Sequence, residues 1–140
     1  MISVFDTNPV VFEGSDRTLT ISYNGVLCKD ANGKVITDID FEDVNELYLT
    51  RYLNSNSNYT IMFRDHNWKN MEGQDLDTDR TESNAGHNIR ETKAIIAAFA
   101  RHKLTADFPA NLDTLQLPLD YSIRGNEKSL LKTVLSLMAR

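Results

Sequence analysis

From Leu19 to Tyr23 apolar residues occupy every second position, and two short glycine-containing turns follow at 24–25 and 30–33. In Arg17-Thr-Leu-Thr-Ile-Ser-Tyr23, Leu19, Ile21 and Tyr23 share one face and Thr18, Thr20 and Ser22 the other. A two-residue period suits a half-buried strand and cannot wrap a helix around a core. The Asn24-Gly25 pair predicts a tight hairpin turn into Val26-Leu27-Cys28-Lys29. Asp30-Ala-Asn-Gly33 predicts a second turn into Lys34-Val-Ile-Thr37, completing an antiparallel meander. Val10 to Glu13, opened by Pro9 and closed by Gly14, fits an edge strand, where proline is tolerated.

The β-prone pattern continues. Asp38 to Asp43 mixes acids with Ile39 and Phe41, and the run from Val44 to Leu53 reads as a long strand ended by the polar turn at 54–58. Tyr59-Thr-Ile-Met-Phe-Arg64 alternates again, and a further short run begins at Trp68, bringing the strand count to about seven. Beyond an acidic stretch at 73–86 the period changes. Ile89, Ile96, Phe99, Ala100 and Leu104 recur at helical spacing, with Asn88 and Glu91 as a capping pair, so residues 88–104 predict an amphipathic helix. Residues 105–126, with Pro109 and Pro118, read as an extended segment lying over a core, and 127–140 as a short amphipathic helix.

With 140 residues, 41% apolar and 25% charged, the chain has the size and composition of a single domain, an α+β unit over 1–140. Cys28 is the one cysteine, so there is no internal disulfide framework and no cysteine zinc cluster, which fits a reducing compartment and a cytoplasmic location. No apolar run approaches the roughly 20 residues that cross a bilayer, so membrane insertion is not expected. The net charge of −5 argues against nucleic acid or an anionic membrane surface as partner.

Many short antiparallel strands followed by one helix is an order carried here by Leu19-Thr-Ile-Ser, Asn24-Gly-Val, the segment Ile39 to Leu49, Tyr59 to Asp65, and the helix ending Ile96-Ala-Ala-Phe-Ala. In this order residues 9–104 resemble the bacterial pleckstrin-homology-like domains. The resemblance implies a bent antiparallel sheet or partly open barrel of about seven strands, capped by one amphipathic helix, with residues 105–140 as a C-terminal extension packing on the core or on a partner. It also implies a platform for phosphoinositides, peptides or proteins rather than an enzyme. Phosphoinositide-binding members carry basic residues around the first hairpin; here Arg17, Lys29 and Lys34 are offset by Asp16 and Asp30.

No catalytic motif stands out. The glycines are isolated turn markers, so no phosphate loop and no cofactor are expected. His66, His87 and His102 are too far apart in sequence for a helical zinc pair. Asp75, Asp77 and Asp79 have calcium-loop spacing, but Arg80 and Gly86 stand where glycine and a bidentate glutamate are needed, so no metal is expected. His66 beside Trp68 could stack on a ligand, and Asp75, Asp77, Asp79 and Glu82 form an acidic surface. Leu130, Leu131, Val134, Leu135, Leu137 and Met138 form a stripe that must be covered by its own domain, a second copy or a partner.

The leading expectation is a non-enzymatic protein-interaction domain whose small-molecule ligand, if any, the sequence does not name. Two alternatives stand beside it. One is a small enzyme using a cleft between sheet and helix, with Asp65, His66 or His87 as acid–base groups. The other is an acidic inhibitor or immunity-type protein that neutralises a basic partner.

Overall fold

A computed structural model describes residues 9–51, 59–65, 89–104, 116–117, 121–125 and 127–138. The order is β1 (Val10–Glu13), β2 (Arg17–Ile21), β3 (Gly25–Asp30), β4 (Val35–Asp40), a single 3-10 turn at Phe41–Asp43, β5 (Glu46–Arg51), β6 (Tyr59–Arg64), α1 (Ile89–Lys103), β7 (Tyr121–Arg124) and α2 (Glu127–Met138). The fold is α+β, with antiparallel pairing throughout. One sheet runs β1-β2-β3-β4 and the other β6-β5-β7, and the described strands do not close into a barrel.

The meander follows the alternation. Leu19, Ile21, Val26, Cys28 and Ile39 turn inward and are buried, while Thr18 and Thr20 remain half-exposed. The first turn is set one residue earlier than the Asn24-Gly25 pair suggests. Ser22 and Gly25 exchange backbone hydrogen bonds of 2.9 and 3.3 Å, leaving Tyr23 and Asn24 at the tip. Glycine is needed at 25 for a different reason: a Cβ there would stand 1.8 Å from the Ile39 carbonyl oxygen of β4. At the second turn Gly33 adopts φ +84°, the left-handed conformation that glycine enters at little cost. The Asp30 carboxylate accepts from the Asn32 and Lys34 amides there. A register slip between Cys28 and Lys29 puts one extra residue in β4, and Val35 and Ile36 beside it stay exposed.

The run expected to form a strand from Val44 begins pairing at Glu46, because the 3-10 turn and the connecting residues Val44 and Asn45 come first. Helix α1 is buried more completely than a one-sided amphipathic pattern suggests. From Glu91 to Ala100 every residue except the half-buried Lys93 is buried. Four of these are alanines, small enough for sheet strands, the 3-10 turn and α2 all to approach the helix. Ile89, in phase with Ile96, is nevertheless 43% exposed.

The segment read as an extended cover contributes a strand. β7 pairs with β5, which becomes the central strand of its sheet, and Ile123 enters the core. Six of the described strands precede α1, and the seventh comes after it. The run at Trp68 lies outside the described residues. α2 packs against α1 and β7, with Leu130 and Val134 buried in the common core. Gly125, between β7 and α2, donates its amide to the Asn45 carbonyl at 2.8 Å. Among the described residues no helix is long and apolar enough to cross a membrane.

Candidate functional site

A concavity of about 690 Å³ opens between strand β1 and the first turns of α1. Its size is within the usual range for ligand clefts. The pairing of β1 with β2 sets one wall: Val10 stands opposite Ile21 and Phe12 opposite Leu19, two residues of the buried inner face. Phe12 packs partly into the core, whereas Val10 remains 40% exposed because no strand flanks the outer edge of β1 among the described residues. Ile89, at the start of α1, contributes an apolar lip to the opposite wall.

An ion pair joins the two walls. Arg17 Nη2 donates to Glu91 Oε1 at 3.1 Å, with the Glu91 side chain almost wholly buried. The Arg90 guanidinium lies 5.8 Å from the centre of the Phe12 ring. Lys93, Glu13 and Asp16 complete the charged lining. Beneath the cleft, burial pushes the Cys28 thiol above its usual range, and the nearby Arg17 charge pulls the other way without overcoming it. A thiol held protonated is a poor nucleophile, so Cys28 acts as a small core side chain.

Two other polar groupings are built into the frame. Glu46, nearly fully buried on central strand β5, accepts from Arg64 of β6 at 2.7 Å and lies 3.9 Å from Arg124 of β7, its register partners on either side. Arg64 also stacks over the Tyr48 ring at 4.5 Å. This carboxylate ties three strands together and leaves no open site. At the far end of α1, His102 Nδ1 is 2.8 Å from the Tyr23 carbonyl oxygen, a contact in which the ring nitrogen donates. His102 packs beside the Tyr23 and Phe41 rings. Burial lowers the Lys103 ammonium below its usual range, against the opposing pull of Glu42, Asp40 and Asp43.

The residues singled out from the sequence are distributed unevenly. His66, Trp68, Asp75, Asp77, Asp79, Glu82 and His87 lie outside the described residues, and Asp65 is half-buried just after β6. Of the C-terminal stripe, Leu130, Val134 and Leu137 are covered by their own chain, while Leu131 and Leu135 are exposed. The side chain of Met138 lies outside the described set. Among the described residues no three histidine, cysteine, aspartate or glutamate side chains converge to hold a metal. The cleft residues Val10, Phe12, Arg17, Ile89, Arg90 and Glu91 were not assigned to a binding site from the sequence, where most of them were read only as parts of strands or a helix. The one available signal was β1 itself, an edge strand of two valines and a phenylalanine, more apolar than an exposed edge requires.

No protein-family model, curated protein or solved structure matches the chain.

Proposed function

We propose that this chain is a non-enzymatic protein-interaction domain that holds a segment of a partner protein in the cleft between β1 and α1. The observation that carries the reading is that exposed Val10, Val11 and Ile89 line one open cleft together with charged residues, the apolar-patch-with-polar-rim arrangement of interaction sites. The polar groups favour binding over chemistry, since Glu91 is engaged by Arg17 and the Cys28 thiol is kept protonated. The order of six strands and then α1 supports a variant of the pleckstrin-homology-like fold, whose members act as platforms. A cytoplasmic location accords with the single buried cysteine.

Selection of a random peptide library displayed on phage, with the full chain as target, tests the proposal. Enriched peptides are expected to lose binding to a folded Ile89→Asp variant. No enrichment, or enriched peptides indifferent to that substitution, contradicts it.

One observation favours a second reading, neutralisation of a basic partner. Asp38, Asp40, Glu42 and Asp43 are all exposed within six residues at the corner between β4 and the 3-10 turn. Binding of a basic protein through this corner is expected to weaken steeply with salt and on Asp38→Asn with Asp40→Asn. Salt-independent binding contradicts it.

A further inference from the structure

Resting on the cleft as the recognition surface, we infer that its occupant is an extended, electrically neutral peptide segment that adds as a strand to the edge of β1 that no described strand pairs. β1 is the first strand of its sheet and pairs only with β2 among the described residues, so one row of its amide and carbonyl groups faces outward. Such an edge is a template for a further strand, with backbone hydrogen bonds supplying affinity and alternate side chains supplying selectivity. The pleat directs the outcome. Val10 and Phe12 are on the inner face, yet Val10 is 40% exposed, so the inner face runs out one strand short of being covered. A strand about 4.8 Å beyond β1 would place every second side chain over Val10 and against Ile89.

Charge fixes the chemistry of the occupant. The lining brings Arg17, Arg90 and Lys93 against Glu13, Asp16 and Glu91, three of each sign. This balance offers no net field to a phosphate, a polyanion or a strongly basic tail, and its electrostatic complement is a neutral backbone with apolar side chains. The ends of the docking stretch are set as well. Pro9 has no amide to donate and Glu13 places a charge at the other end, leaving Val10 to Phe12 as the pairing length.

The test is an N-methyl scan of one peptide, taken from the displayed library and shown to depend on Ile89. N-methylation removes a backbone donor and keeps every side chain. The expected result is an alternating pattern, with methylation at every second amide weakening binding at least tenfold and methylation between them leaving it unchanged. A peptide whose sensitive positions follow a three-to-four-residue period binds as a helix, and one indifferent to methylation binds through side chains alone; either overturns strand addition and leaves the cleft reading standing. Failure to obtain any Ile89-dependent peptide overturns the cleft reading itself. A peptide-free protein that is dimeric, with β1 amides protected from hydrogen exchange only in the dimer, also overturns the inference, since a second copy then holds the edge.

Discussion

Arg17 and Glu91 are 74 residues apart in the chain and 3.1 Å apart in space. Their ion pair fastens the second strand to the start of the long helix, and both residues line the cleft. Glu91 is nearly buried, while the Arg17 side chain keeps 24% of its surface in solvent.

Removing the guanidinium leaves Glu91 in a poorly solvated position, and this costs more than the pair itself contributes. Arg17→Met is expected to destabilise the fold by about 2 kcal/mol, less than for a fully buried pair because Arg17 is partly solvated. Adding Glu91→Gln should recover part of that loss. Urea unfolding of the two single variants and the double variant measures the coupling, and strictly additive losses contradict it.

The two glycines of the meander should respond differently to the same substitution. Gly25→Ala drives a methyl group into the Ile39 carbonyl at 1.8 Å, where only backbone movement relieves the clash. A loss of about 3 kcal/mol or more, or failure to fold, is expected. Gly33→Ala meets open space but must hold φ +84°, which costs about 1–2 kcal/mol. Comparable thermal unfolding of the two variants runs against this distinction.

Helix α2 supplies a matched pair of leucines. Leu130 is fully buried and Leu131, next in sequence, is 41% exposed. Leu130→Ala is expected to cost about 2–5 kcal/mol by opening a cavity. Leu131→Ala should change stability by no more than about 0.5 kcal/mol. Denaturant midpoints report both, and equal losses would mean that α2 docks differently.

Alkaline pH separates the buried Cys28 from the half-buried Lys103. The folded state raises the Cys28 thiol, so its contribution is complete below the ordinary thiol pKa of about 8.5 and is lost as pH rises through the elevated folded value. The folded state lowers Lys103, so its contribution is present above the ordinary lysine value of about 10.4 and is lost as pH falls through the depressed one. Cys28→Ala is therefore expected to flatten the alkaline decline in stability, and Lys103→Met to steepen it. Unfolding free energies measured from neutral to alkaline pH check both signs.

Local pattern made much of this fold legible. The alternation in β2 and β6, the turns that bound β3 and the helical period of α1 and α2 are properties of neighbouring residues, and the elements lie where those signals place them. Less legible was what distant segments do to one another. Nothing in Tyr121-Ser-Ile-Arg124 announces that it will flank β5, because four residues between a proline-containing segment and a helix carry almost no period of their own. Gly25 invited a turn interpretation, but its constraint comes from the approach of β4. The cleft was hidden for the same reason: Ile89 has the correct helical phase for burial, yet it is exposed at the cleft beside β1.

The most direct test of the central claim is amide-resolved NMR of the full chain, titrated with a peptide from the displayed library. Shift changes confined to Val10–Glu13, Arg17 and Ile89–Lys93, with Leu131, Leu135 and the Asp38–Asp43 corner silent, are the expected result. Changes centred on α2 or on that acidic corner, with β1 and the start of α1 unmoved, would contradict it.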